Sequence, residues 1–423
     1  MSDGTPHALT VRLRRRRGAA WGPGSGVGAQ AALHRRLPTM ADVERAARRR
    51  LPRFAYDFVA GGTGDDLGVR RNRAALDGVE LVPRYGDLPP VDSSVTLFGR
   101  KYAHPFGISP AGLDGLAWPD ATRLLAGTAA GAGLPYITGT LASASVEEVA
   151  RRCPGRTWFQ LYGFPAERHR VTFDLVRRAA DAGAEALVVA VDAPVRSKRP
   201  RDLRHGLVVP FRPSLPMALQ VATSPAWSLA ALRCRMPVFA NVGRYVGPSA
   251  TLDEVAGFVQ GEMRGGFTWA EIADLRQAWP RALVVKGLLH PADAERAVEA
   301  GADGVLVSNH GGRQSDAAPP AVDVLPAIAR AVGTDATVLF DSGVRSGLDI
   351  ARVMALGADA AFCGRAFLLG LAAAGSRGGA HVAALLAGEL RTALGQCGAA
   401  DPEGLRELDI RHEGAWELWK GTR

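Results

Sequence analysis

The run Ser308-Asn309-His310-Gly311-Gly312-Arg313-Gln314 concentrates more usable chemistry than any other stretch of this chain. An imidazole is the side chain best suited to moving protons near neutral pH. Arg313 follows closely and offers a planar fork that matches a carboxylate. The paired glycines between them let the backbone turn and approach a flat ligand. Single reactive residues recur in apolar settings: Tyr162 after Trp158-Phe159-Gln160-Leu161, Asp192 in Val191-Asp192-Ala193-Pro194, and Lys286 in Val284-Val285-Lys286-Gly287. A lysine buried there would be costly without a purpose. Taken alone, Tyr162 also reads as plain core, Asp192 as a helix N-cap, and Arg199, inside the basic run Arg196 to Arg204, as solvated surface. A second chemistry shows in Asp341-Ser342-Gly343-Val344-Arg345 and in Gly364-Arg365, where two arginines and close-approach glycines suit a dianionic phosphate.

The elements that must position these residues follow a repeated pattern. A helical stretch ends in Gly, Ala and an acid follow, and a short apolar run comes next: Ala182-Gly183-Ala184-Glu185, Ala300-Gly301-Ala302-Asp303 and Leu356-Gly357-Ala358-Asp359. Glycine closes a helix in the left-handed conformation, and all-apolar strands are those of a parallel sheet buried on both faces. Eight strands are predicted, at Phe106–Ile108, Tyr136–Thr138, Trp158–Leu161, Leu187–Val191, Leu283–Lys286, Val305–Ser308, Val338–Phe340 and Ala361–Cys363. Eight fits a closed TIM (β/α)8 barrel, whose loops after the strands form the catalytic face. The heptapeptide then follows the sixth strand, and the two phosphate-type motifs follow the seventh and eighth, where barrels commonly bind phosphate. Residues 41–100 are expected to form an N-terminal helical segment capping the barrel. The connection after the fourth strand is long and holds no Asp or Glu from Leu203 to Leu252, and such a loop at a barrel mouth is usually functional.

The heptapeptide resembles the signature of the FMN-dependent α-hydroxy acid oxidases and dehydrogenases, and the resemblance runs from roughly Leu51 to Cys397. Within that family the nearest likeness is to the mandelate dehydrogenase branch. It rests on Gly112-Leu113-Asp114-Gly115-Leu116-Ala117-Trp118-Pro119, on Pro225-Ala226-Trp227-Ser228-Leu229 with Met236-Pro237, and on Asp341-Ser342-Gly343. The resemblance implies FMN as cofactor and oxidation of an (S)-2-hydroxy acid, mandelate-like or lactate-like, to the 2-oxo acid. It makes His310 the base, Asp192 the carboxylate behind it, Tyr162 the phenol on the substrate oxygen, and Lys286 the cation beside the flavin ring. Arg199 and Arg313 would clamp the substrate carboxylate, with Phe58 lining the same pocket. Pro110, Ala111, Gly112, Gly139, Gln160, Ala190 and Ser308 would line the ring, and Asp341, Ser342, Gly343, Arg345, Gly364 and Arg365 would form the phosphate site. The electron acceptor is left open among a quinone, a protein and O2, and so is the choice between hydride and carbanion chemistry; an oxidase of the same substrates using O2 and a catalytically silent flavin-binding protein are the alternatives. A homo-oligomer, a tetramer by family resemblance, is implied too.

Some positions depart from the family pattern. Tyr56-Asp57-Phe58 puts Phe58 where a second tyrosine is usual, Gly139 and Ala190 replace hydroxyl residues, and Leu141 replaces a tryptophan. These changes lean toward a bulkier, aromatic substrate side chain. Gly112 stands where many oxidases carry Ala, which leans toward a dehydrogenase. In the mandelate dehydrogenases the loop after the fourth strand aids membrane attachment, so residues 203–252 are expected either to make peripheral membrane contact or to form a disordered active-site lid.

Composition bounds the rest. The chain has 423 residues and a formal charge of +9, of which residues 1–39 carry +6. The remaining charge is too small to support nucleic-acid binding by the folded body. Residues 1–39 read as a disordered Arg-rich extension ahead of one domain over 40–423; a mitochondrial-type presequence, a twin-arginine signal and an upstream start before Met40 are the alternatives. Four cysteines form no metal-like cluster and suit reduced thiols in a cytoplasmic protein, peripheral at most to the inner membrane face. No metal site is expected.

Overall fold

A computed structural model describes residues 26–86, 90–195, 197–207, 214–234, 239–247 and 249–415. Met236, Pro237 and Arg196 of the motifs above lie outside the described residues, as do residues 1–25 of the extension.

Eight parallel strands close into a barrel: β1 Phe106–Ile108, β2 Tyr136–Gly139, β3 Thr157–Leu161, β4 Ala186–Ala190, β5 Ala282–Leu288, β6 Gly304–Val307, β7 Thr337–Phe340 and β8 Ala360–Cys363. Each pairs with the next in chain order, and β8 pairs back to β1. The repeated junction explains much of this regularity. Gly183, Gly301 and Gly357 all have positive φ, and the acid that follows two residues later starts the ladder. Glu185, Asp303 and Asp359 donate their N–H groups to Thr157, Leu283 and Val338 of the neighbouring strand at 2.8, 2.8 and 2.7 Å. The Asp303 and Asp359 carboxylates return the bond, accepting the N–H of Leu283 at 2.8 Å and of Val338 at 2.7 Å.

Strand alternation sorts side chains between the helix-facing layer and the barrel interior. The interior holds Ile137, Trp158, Ala186, Val188, Val284, Leu306, Leu339, Ala360 and Phe362. A hairpin of Val95–Leu97 and Arg100–Tyr102 plugs the end where the strands begin. Leu97 and Tyr102 join the interior cluster, and Trp158 donates its indole N–H to the Tyr102 hydroxyl at 3.1 Å. This end is packed shut, so chemistry is left to the other.

At that other end helices Arg53–Ala60 and Leu67–Asp77 reach the loops, while Met40–Arg50 packs along helix Arg365–Ala374. Residues 26–39, read from the sequence as part of the extension, are largely helical. A helix spans Gly26–Arg36, with Leu33 and Leu37 buried, and the Leu37 carbonyl accepts a bond from His381 of helix Gly378–Cys397 at 2.8 Å. Two leucines four apart find an apolar surface there that Gly- and Ala-rich composition did not announce. The connection between β4 and β5 is not structureless either. It contains helices Leu215–Ala222, Pro225–Arg233, Leu252–Glu262 and Trp269–Ala278, and Arg264 and Gly265 bridge back to Gly163 and Ala193 beyond β3 and β4.

Candidate active site

The alternation that fills the barrel with Trp158, Val188, Val284, Leu306 and Leu339 reaches polar or small residues two positions on. These are Gln160, Ala190, Lys286, Ser308 and Asp341, and from Ile137 likewise Gly139; all but Gly139 and Ala190 carry functional groups. Parity therefore aims a ring of residues into the open mouth. Lys286 stands at the centre, 3% exposed. It donates to Ser308 Oγ at 2.8 Å and lies 3.5 Å from Asp192 Oδ2 and 3.4 Å from Asp341 Oδ2. Burial disfavours its charge, but the two carboxylates outweigh that and hold the ammonium well above the usual lysine range.

His310 follows β6 with φ +57°. Its Nδ1 lies 2.9 Å from Asp192 Oδ2, so the carboxylate fixes the hydrogen on Nδ1 and frees the Nε2 lone pair. Nε2 faces the Tyr162 hydroxyl at 3.4 Å. Burial, and then the neighbouring Asp192, push the Tyr162 phenol up to about 12, which keeps it a hydrogen-bond donor. Burial alone would raise the Asp192 carboxyl, yet His310 and Lys286 together hold it down at about 2. Gly287 makes this approach feasible: with φ +106°, a Cβ there would sit 2.3 Å from Asp192 Cβ.

The arginines form a second group. Arg313 donates to the carbonyls of Phe58 at 2.9 Å and Gly61 at 2.8 Å and lies over the Phe58 ring, 5.4 Å from its centroid. Arg199 precedes the short helix Pro200–Arg204 and pairs loosely with Asp202 at 3.7 Å. Burial disfavours the charge of Arg313, Arg345 and Arg365, and like charge adds to it: Arg199 beside Arg313, Arg73 beside Arg345, Arg313 and Arg345 beside Arg365. Among the described residues no carboxylate lies within ion-pair distance of these three. Half-buried cations with no carboxylate in direct contact can take anions from outside, and a carboxylate and a phosphate supply that charge.

The remaining lining also fits FMN. Gln160 Nε2 and Ser109 Oγ are buried with no partner among the described residues, a polar debt that a ring's carbonyl and N–H edge would settle. At Gly139 a Cβ would lie 3.2 Å from Gln160 Oε1, and at Gly112 a Cβ would lie 3.2 Å from Leu141 Cβ. Pro110 and Ala111 follow β1 beside them. Gly364 precedes helix Arg365–Ala374, and Arg345 lies just before helix Gly347–Ala355, so both face helix N-termini.

Three of these residues carry contacts that the implied phosphate role does not describe. Asp341 was grouped with the phosphate site, but its carboxylate accepts from Ser308 Oγ at 2.5 Å and Ser342 Oγ at 2.8 Å and faces Lys286. A carboxylate repels phosphate, and this one anchors the lysine instead. Ser342 Oγ accepts the N–H groups of Asn309 at 3.1 Å and Gly311 at 3.0 Å, so it serves the loop of His310. Arg365 donates to three backbone carbonyls, of Val59, Gly61 and Gly311, at 2.9, 2.8 and 2.7 Å. That ties the N-terminal segment to the base loop and leaves two of its five N–H groups for an anion. Sequence reading also missed Asn72, which bonds Asn309 beneath the heptapeptide; nothing local at position 72 signals it. No helix among the described residues is long and apolar enough to cross a membrane.

Residues 47–412 match the family model of the FMN-dependent dehydrogenases. The chain is 36% identical over 384 residues to (S)-mandelate dehydrogenase of Pseudomonas putida, covering 90% of this chain and 96% of that protein. It is 39% identical over 374 residues to 4-hydroxymandelate oxidase of Amycolatopsis orientalis, covering 88% and 98%. Among solved structures, that of the monotopic membrane protein (S)-mandelate dehydrogenase superposes with a TM-score of 0.83 at 36% identity, covering 89% of this chain and 99% of that one.

Proposed function

The chain belongs to the family of FMN-dependent dehydrogenases, and on that premise we propose that it oxidises an (S)-2-hydroxy acid, mandelate-like before lactate-like, to the 2-oxo acid. The observation that carries the reading is the imidazole whose Nδ1 is held by Asp192 at 2.9 Å, leaving Nε2 toward Tyr162 and the mouth, beside Arg313, which has no carboxylate within ion-pair distance among the described residues. Arg199 and Arg313 hold the substrate carboxylate. Tyr162 donates to the substrate oxygen. His310 Nε2 takes the proton that the substrate gives up, and the negative charge of Asp192 stabilises the resulting imidazolium. Lys286, Gln160, Ser308 and the backbone of 110–112 hold the ring of FMN, and Arg345, Gly343 and Gly364 hold its phosphate. Bound FMN supplies a two-electron acceptor for the electrons leaving the substrate α-carbon. The test is anaerobic bleaching of the yellow enzyme over a panel of hydroxy acids. (S)-Mandelate should bleach it fastest, and His310→Gln should slow bleaching ~10²- to 10⁴-fold with the flavin retained. An enzyme that stays yellow with every acid overturns the reading.

The aromatic preference is supported by Phe58, Gly139 and Leu141 around the mouth and by similarity to proteins named for mandelate. Gly112 supports a quinone or protein acceptor over O2; slow reoxidation in air would agree with that, and rapid reoxidation would make it an oxidase. Peripheral membrane contact by the stretch after β4 is supported by Leu215, Leu219 and Leu232, which are 88%, 66% and 85% exposed on helices flanked by arginine rather than acid. Flotation with anionic vesicles should carry the protein, and Leu215→Ser with Leu232→Ser should release it.

A further inference from the structure

We propose that Asn72, on the N-terminal helix Leu67–Asp77, is a positioning residue for His310; this rests on the reading of His310 as the base. The two side chains of Asn72 and Asn309 face each other as a reciprocal amide pair, with each Nδ2 donating to the other Oδ1 at 2.8 Å. Both residues are buried, at 2% and 4% exposure. Asn309 uses its whole capacity, because Nδ2 also donates to the Pro319 carbonyl at 3.0 Å and Oδ1 also accepts the Gly312 N–H at 3.1 Å. The residue it fixes immediately precedes His310, whose left-handed backbone L-residues resist. Something must hold that turn, and a saturated amide anchored in another element does so.

The helix is itself seated on the catalytic loops. A Cβ at Gly312 would lie 2.5 Å from Val69 N, and one at Gly343 would lie 2.9 Å from Leu76 Cδ1 and 3.2 Å from Asn72 Cβ. Arg73 donates to the Gly343 carbonyl at 2.7 Å, and Asp316, further along the base loop, accepts the Gly68 N–H at 3.1 Å. Contact on both sides of Asn72 leaves it little freedom, so its hold on Asn309 is transmitted to the imidazole.

The experiment is a cycle of Asn72→Ala, His310→Gln and their combination, read as anaerobic flavin reduction per bound flavin with (S)-mandelate. Asn72→Ala should lower the limiting rate ~10- to 100-fold and leave KM within ~3-fold, because Arg199 and Arg313 are untouched. In the His310→Gln background the same change should cost less than ~2-fold, since the group it positions is gone. An equal loss in both backgrounds overturns the proposal and makes Asn72 a general structural residue. A wild-type rate for Asn72→Ala beside a crippled His310→Gln overturns it and leaves the base in place. A wild-type rate for His310→Gln removes the base reading and this inference with it. Should the alanine variant fail to fold, Asn72→Ser, which keeps one hydrogen-bonding group, is read the same way.

Discussion

Asp192→Asn isolates the charge behind the base while keeping shape and a hydrogen-bond acceptor. In the native site Asp192 Oδ2 lies 2.9 Å from His310 Nδ1. A full charge pair at that separation is worth about 6 kcal/mol at an effective dielectric constant of about 20. Two things reduce the loss. The asparagine oxygen still accepts from Nδ1, and Lys286, 3.5 Å from the same carboxylate oxygen, already draws on part of its field. Taking these to return about half leaves roughly 3 kcal/mol of stabilisation of the protonated imidazole, which is ~10²-fold in rate. Stopped-flow bleaching under argon at saturating (S)-mandelate measures it directly. Affinity for the oxo-acid product should hold within ~3-fold, because the guanidinium clamps are unaltered. A bleaching rate within ~3-fold of the native enzyme, with full flavin content, refutes the electrostatic role of Asp192.

The same carboxylate predicts an acid-lability. Its folded value of about 2 lies below the ordinary 3.8, so the native state binds fewer protons than the unfolded chain. The stability this contributes is complete above about pH 4 and lost as pH falls toward 2. Denaturant midpoints at pH 6 and pH 3 should therefore diverge less for Asp192→Asn than for the native protein. Gly287→Ala forces a side chain onto a backbone at φ +106° and against Asp192; it should cost roughly 1–3 kcal/mol of stability by thermal melt and slow bleaching as Asp192 is displaced. Phe58→Tyr restores a hydroxyl near Arg313 and should lower KM for small hydroxy acids ~5-fold, about 1 kcal/mol, in steady-state assays with lactate.

Local pattern made the barrel and much of its site readable from the chain. A short apolar run bounded by turn residues is a property of neighbouring residues, so all eight strands and the heptapeptide after the sixth fall within a residue or so of where that pattern puts them. The Gly-Ala-acid junctions could be read because the left-handed turn and the ladder bond each need one residue type at one place. Roles set by partners distant in sequence could not be read this way. Asn72 and Asn309 are 237 positions apart and Arg365 and Val59 are 306 apart, and no repeat or spacing links them. Asp341 likewise belonged to a phosphate-type motif by composition, until Lys286 and Ser308 arrived beside it from β5 and the end of β6. What the chain alone determined was which residues face the mouth, because that depends on backbone geometry. What tertiary structure decided was which of them touch, because charge pairing, amide pairing and arginine-to-carbonyl bonds depend on distances that only closing the barrel and docking the N-terminal helices bring about.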